Sequence, residues 1–326
     1  MSPTSRPHPT PLPLPGGGAA QRRAHRGAAV VLAMLLAALA ATIAVTLFAD
    51  QQRWTRAVMQ RRDQVQAQAL AMAGVQWARQ ILDTGGRPKA VDHLGEPWAM
   101  SLPPIPLDNG EIRGLISDAS ARLNVNGLGL AAAPGDPERE RIERLFAQRG
   151  GPVGAIDAIA DWIDVDGDRR PDGAEDADYA VQSPPGVAAN GPVVRVAELA
   201  AVRGVSLASL AAVAPYLIAL PAGTPVNVNT APPEVLATIF KDLRGDALPA
   251  LVAGRAQRPF ASVADFRSRL PPGTTPPSDV ALAVRSDFFL VTVEARQGTT
   301  IARARALLRR TSGAQAWPSV VWQVVE

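Results

Sequence analysis

The chain of 326 residues contains no cysteine, which removes disulfides, thiolate catalysis and cysteine-ligated zinc in one step and leaves the redox compartment open. Histidine is nearly as scarce. His8, His25 and His93 stand apart from one another, so a histidine dyad or a zinc centre has no material. No phosphate-cradling glycine loop and no nucleophile set beside a base can be found, and the chain does not read as an enzyme. Net charge is also small, +3 with a pI near 9.9. Arg6, Arg22, Arg23 and Arg26 supply four positive charges against no acid in residues 1–27, leaving the remainder at −1. That is a weak field for attracting a phosphate backbone.

What is present begins with a long apolar run. Behind the Pro-rich, basic residues 1–27, the stretch from Ala28 to Ala49 carries no charge. About 20 apolar residues cross a bilayer, whereas the core of a signal peptide needs only about 7 to 15. The run therefore predicts a transmembrane helix over 28–49. The basic tail favours a cytoplasmic N-terminus, although Arg53 and Arg56 beyond the span weigh against it. No proline or glycine interrupts residues 28 to 73, and Trp54, Val58, Val65, Ala69 and Met72 recur at helical spacing. One helix is thus expected from Ala28 to Leu82, about 80 Å long at 1.5 Å per residue, stopped by Gly85-Gly86 and Pro88.

A second feature is the acidic run from Asp161 to Tyr179, with eight carboxylates and only Arg169 and Arg170 against them. Asp164, Asp166, Asp168 and Glu175 fall at positions 1, 3, 5 and 12 of a calcium-loop template. Arg169 stands where an EF-hand requires glycine, so the pattern is a calcium loop of another kind. A solvated acidic loop is the alternative. Gly167, Pro171 and Gly173 mark turns, while Trp162, Ile163 and Tyr179 bracket the run with groups that bury. Burial at both ends presses like charges together, at about 4 kcal/mol per pair 4 Å apart. Ca2+ is the expected cofactor, bound by Asp164, Asp166, Asp168 and Glu175, with Asp176 and Asp178 as further ligands or holders of a second ion.

The rest divides by period. Glu111–Asp118 and Ala121–Leu128 read as strands, and Ser286–Arg296, Thr300–Arg309 and Val320–Val325 alternate as strands. On them Phe289, Val291, Val293 and Ala295 share one face, and Arg303, Arg305 and Arg309 share one side. Between the strand groups lie candidate helices at 138–148, 155–163, 196–200, 207–217, 233–243 and 263–270. An α+β fold follows: a long N-terminal helix on an antiparallel sheet, with a large inserted α-helical domain. The expected organisation is 1–27 leader, 28–49 transmembrane helix, 50–133 helix and first strands, 134–283 insertion and 284–326 last strands.

One stretch points elsewhere. Val228-Asn229-Thr230-Ala231 before a helix, and Arg255 leading to Pro259 and Phe266, resemble helix-hairpin-helix modules that hold DNA phosphates at helix N-termini. A membrane-anchored DNA-binding receptor is accordingly the alternative function. The Gly-x-Gly hairpin is missing between residues 243 and 247, and a capping role for Asn227 and Asn229 around Thr230 is preferred.

Arg26-Gly27 before Ala28 is similar to the junction that prepilin peptidase cleaves in type IV pilin-like proteins. Counted from Ala28, the fifth residue is Leu32, where most pilins have glutamate; the K-type minor pseudopilins of type II secretion systems lack that glutamate. Ser117-Asp118 with Leu123-Asn124-Val125-Asn126, Asp161-Trp162-Ile163-Asp164, Gly173-Ala174-Glu175-Asp176 with Tyr179, Glu198-Leu199 and Val226-Asn227-Val228-Asn229-Thr230-Ala231 follow that family's order. The chain thus resembles the general secretion pathway protein K family over nearly its whole mature length. The resemblance implies a pilin-like fold with a calcium-binding insertion, leader cleavage between Gly27 and Ala28 and N-methylation. It also implies an inner-membrane single-pass anchor with a periplasmic C-terminal domain, and a place at the pseudopilus tip in the export of folded proteins. The implied partners are the I-type and J-type minor pseudopilins, prepilin peptidase, the inner-membrane secretion platform and secreted cargo, with no nucleic acid.

Overall fold

The computed structural model describes residues 19–85, 87–101, 103–130, 134–243, 245–274, 282–311 and 317–326. The Pro-rich tail read over residues 1–18 lies outside them. Two units divide the chain, one ending at Arg62 and one running from Asp63 to Glu326.

The first unit is helical. Helix α1 (Ala19–Leu82) begins nine residues before the predicted start at Ala28 and passes through Gly27 unbroken. Its apolar stretch has a mean hydropathy of 2.7 and is wholly exposed, with Val30, Leu35, Leu39, Ile43 and Leu47 all facing outward. Such a surface is stable in hydrocarbon rather than in water.

In the second unit the end of α1 packs on a sheet. The buried stripe is Ala67, Ala71, Val75, Ala78 and Leu82, at spacings of 4, 4, 3 and 4. The predicted stripe of Trp54, Val58, Val65, Ala69 and Met72 is exposed instead. The reason is steric: small residues allow the close approach that larger ones would block. Gly74 marks the limit, since a Cβ there would meet Val293 Cγ1 at 2.6 Å.

The sheet comprises β1 (Ile105–Leu107), β2 (Gly110–Asp118), β7 (Phe288–Gln297), β8 (Thr300–Arg309) and β9 (Ser319–Val325), antiparallel throughout in that order. Phe289, Val291, Val293 and Ala295 are buried toward α1 together with Ala302, Ala304, Ala306 and Leu308, as the alternation predicts. Arg303, Arg305 and Arg309 are exposed on the other face. That face is not solvated along its whole length: Phe288 and Leu307 bury there against Ala119, Ile218 and Leu220.

The expected strand at 121–128 is mostly absent. Only β3 (Leu123–Asn124) is extended, and it pairs in parallel with β4 (Leu217–Ile218) away from the main sheet; 3₁₀ turns flank it. The Asn124 and Asn126 side chains account for this, because both donate to the Leu220 carbonyl and Asn124 Oδ1 accepts from the Leu220 and Asn126 amides. They bind backbone that a sheet would otherwise pair. A second short parallel pair joins β5 (Val226–Asn227) to β6 (Leu282–Ala283).

The insertion has its own core, extending from Leu123 to Val284 and so starting before the predicted boundary at 134. Its helices are α2 (Pro137–Arg149), α3 (Ile156–Ile163), α4 (Asp176–Ala180), α5 (Leu207–Val213), α6 (Pro233–Ile239), α7 (Ala247–Gln257) and α8 (Val263–Ser268). The predicted helix at 196–200 is a 3₁₀ turn, and α7 and α4 had no counterpart among the predicted helices.

A buried polar hub ties the insertion to the sheet. Asp118, at the end of β2, accepts at Oδ2 from Asn227 Nδ2 (2.9 Å), Thr230 Oγ1 (2.5 Å) and Ser286 Oγ (2.5 Å), and at Oδ1 from the Ser120 amide. Arg310 reaches Asp92 Oδ2 at 2.5 Å beside it. Asn227 Oδ1 caps the Asn229 amide, and Asn229 grips both the amide and the carbonyl of Phe260. Asn227 and Asn229 are thus structural, as expected.

Candidate metal centre

Helix α3 carries Asp157 and Asp161 at i and i+4 on a face that turns inward, and Asp164 follows as its C-cap residue. The following loop folds back on it through its own amides. Asp172 N donates to Asp157 Oδ2 at 3.2 Å, and Arg170 N donates to Asp161 Oδ2 at 3.2 Å. Arg170 to Gly173 closes a turn with Pro171 in its second place and a 3.0 Å amide-to-carbonyl bond. Glycine is required at 173, since a Cβ there would come within 1.8 Å of Asp161 Oδ2. Trp162 meets Tyr179 edge-on at 5.0 Å, closing the segment as the sequence predicts.

The charges converge at the C-terminal end of α3, where the helix's own carbonyls already present partial negative charge. Asp161 is 0% exposed and Asp164, the C-cap residue, 5%. One guanidinium nitrogen of Arg170 bridges Asp161 Oδ1 and Asp164 Oδ2. At this site two buried carboxylate oxygens have no partner among the described residues: Asp164 Oδ1 and Glu175 Oε1. Burial, then Asp161, Asp164, Asp176 and Asp166, push the Glu175 carboxyl up to about 7. Burial raises Asp164 as well, against the pull of Arg170.

Among the six residues predicted to bind metal, Asp164 and Glu175 thus offer free buried oxygens, and Asp166 and Asp176 stand close enough to act on Glu175. Asp166 Oδ1 also accepts from the Asp168 amide, and Asp176 Oδ1 from the Ala188 amide. Asp168 is exposed. Asp178 is engaged elsewhere, capping the Glu175 amide and pairing with Arg203 at 3.1 Å. Among the described residues no three acidic or histidine side chains meet at ligand distances. Asp161 and Arg170, outside the ligand set expected from the sequence, also belong to the site. The closeness in sequence of Asp161, in the last turn of α3, to Asp164 at its C-cap is the signal for the first.

The residues of the DNA-binding alternative are occupied internally. Arg255 is buried and donates to the Val228 carbonyl at 2.7 Å, and Asn229 is spent on Phe260.

An apolar N-terminal helix whose continuation packs on an antiparallel sheet, interrupted by a helical insertion, defines a pilin-like protein, with one candidate membrane span among the described residues. Two family models, both described as type II secretion system protein K, match residues 121–222 and 226–285. The chain is 33% identical to the type II secretion system protein K of Pseudomonas aeruginosa over 85% of its own length and 86% of that protein. It is 30% identical to the Klebsiella pneumoniae protein, over 87% and 92%. In fold it is similar to a chain in the crystal structure of the GspK-GspI-GspJ complex of enterotoxigenic Escherichia coli, with a TM-score of 0.68 and 24% identity over 83% of this chain and 99% of that one. The chain belongs to the type II secretion system protein K family, the K-type minor pseudopilins.

Proposed function

We propose that this minor pseudopilin sits at the tip of the type II secretion pseudopilus, where it takes part in filament assembly and in the export of folded proteins. Family membership at 33% identity over 85% of the chain carries the reading. Leu32 supports the tip position, because a subunit that has no neighbour above it can dispense with a glutamate at that place. The large insertion would block further addition sterically. The fold neighbour was solved as a GspK-GspI-GspJ complex, which makes the I-type and J-type minor pseudopilins the expected partners. In this reading prepilin peptidase cleaves between Gly27 and Ala28, the new terminus is N-methylated, and the helix stays anchored in the inner membrane at the secretion platform. The C-terminal domain lies in the periplasm and can touch cargo.

Calcium belongs to the same reading. The donors are hard oxygens of the kind Ca2+ takes, and two of them are buried without a partner. Asp164 and Glu175 would hold the ion, with Asp166, Asp168 and Asp176 closing round it; Asp178 would join only by giving up Arg203 and Arg169. The ion supplies charge neutralisation, while these residues fix the acidic loop against α3.

The first test is the intact mass of protein purified from membranes of cells carrying the native secretion machinery. A methylated chain beginning at Ala28 is expected, and a chain retaining residues 1–27 would contradict filament assembly. The second is thermal melting of the full chain in detergent with calcium and with chelator. Calcium at a hundredfold over its Kd should stabilise by about 3 kcal/mol; an unchanged melting point at millimolar calcium would remove the metal from the reading and leave the family intact.

A further inference from the structure

We infer that Arg170 is a tethered counter-ion that occupies the metal centre in the calcium-free protein and is displaced when calcium binds; this rests on the calcium reading above. A single nitrogen of its guanidinium lies against both Asp161 and Asp164. These carboxylates are 0% and 5% exposed, so water cannot neutralise them, and they stand at the negative end of α3. One positive charge is too little for the cluster. Asp164 Oδ1 and Glu175 Oε1 remain buried and unpartnered beside it.

A guanidinium donates only in its own plane, along its N–H bonds, so it cannot serve all four oxygens at once. A calcium ion takes six to eight oxygens with little directional demand and carries twice the charge. By drawing the side chains together it can gather the two oxygens held by Arg170 with the two left unpartnered, which makes Asp161 a ligand alongside Asp164 and Glu175. The exit route for the side chain exists, because Arg170 is 20% exposed. Its backbone does not have to move: Arg170 N stays bound to Asp161 Oδ2, and Gly173 N to the Arg170 carbonyl. Binding is then an exchange of cations rather than the filling of a gap. Arg170 sets both the affinity and the preference for a divalent ion, since a monovalent ion replaces one positive charge with another.

The test is calorimetric titration of CaCl2 into detergent-solubilised full-length wild type and Arg170→Gln, with melting curves in calcium and in chelator. The variant should bind calcium about tenfold more tightly because it has no competitor to expel. It should melt lower than wild type in chelator and level with it in saturating calcium. Equal or weaker affinity in the variant overturns the inference while leaving the calcium reading in place. No binding by the wild type overturns both. A variant too unstable to handle without calcium is covered by the wild type itself: phenylglyoxal modification of Arg170, read by peptide mapping, should accelerate when calcium is added. An unchanged rate in a protein that binds calcium overturns the displacement.

Discussion

Asp118 shows how much one buried carboxylate can organise. Three side-chain donors from two sequence-distant segments converge on its Oδ2, so its loss takes a shared acceptor from Asn227, Thr230 and Ser286 at once. Asp118→Ala should cost about 3 kcal/mol, read as a lowered denaturation midpoint. Burial pushes its carboxyl up to about 6 in spite of these hydrogen bonds and the Ser120 amide, and Arg122 is the nearby positive charge. An unfolded aspartate titrates near 4. The folded form therefore holds the proton more tightly, so this contribution to stability is complete below about pH 4 and is lost as the pH rises to about 6. Melting curves across that window should fall less steeply in Asp118→Asn than in the wild type.

At the scale of elements, α1 is two helices in one. Up to Phe48 it displays large apolar side chains outward, and from Ala67 it turns a narrow alanine stripe to the sheet. The close approach at Gly74 outweighs helix propensity, which alone would favour alanine there by about 1 kcal/mol. Gly74→Ala is expected to bring no gain in stability, and Gly74→Leu to lose about 2 kcal/mol or more by forcing Val293 and Ile112 aside. Chemical denaturation of the two variants measures both. Helix α3 works differently: its exposed neighbours matter less than its C-terminal pole, which gathers Asp161 and Asp164 and so demands a cation.

At the scale of the whole second unit, the insertion is not a detachable domain. Its core begins at Leu123, ahead of the stretch that the helices occupy, and Ile218 and Leu220 cover Phe288 and Leu307 on the sheet. Residues 226–230 supply two of the three side-chain donors to Asp118. Excising residues 134–283 with a short linker should therefore leave no cooperatively folding remainder. A cooperative melt of the excised protein, followed by circular dichroism, would contradict this.

The sequence by itself determined the features that depend on local order: the apolar span, the helix through to Leu82, the three C-terminal strands and the buried face of the first two, the acidic run and the family motifs. Each is written in a period or a composition that needs no distant partner. Tertiary structure decided the rest. Which stripe of α1 meets the sheet depended on clearance at Gly74, which hydrophobicity does not encode. The strand expected at 121–128 was broken up by Asn124 and Asn126 reaching residues nearly a hundred positions away. The metal residues were legible as a run of acids, but Asp161 and Arg170 entered the site only because the loop folds back along α3 and buries charge against charge.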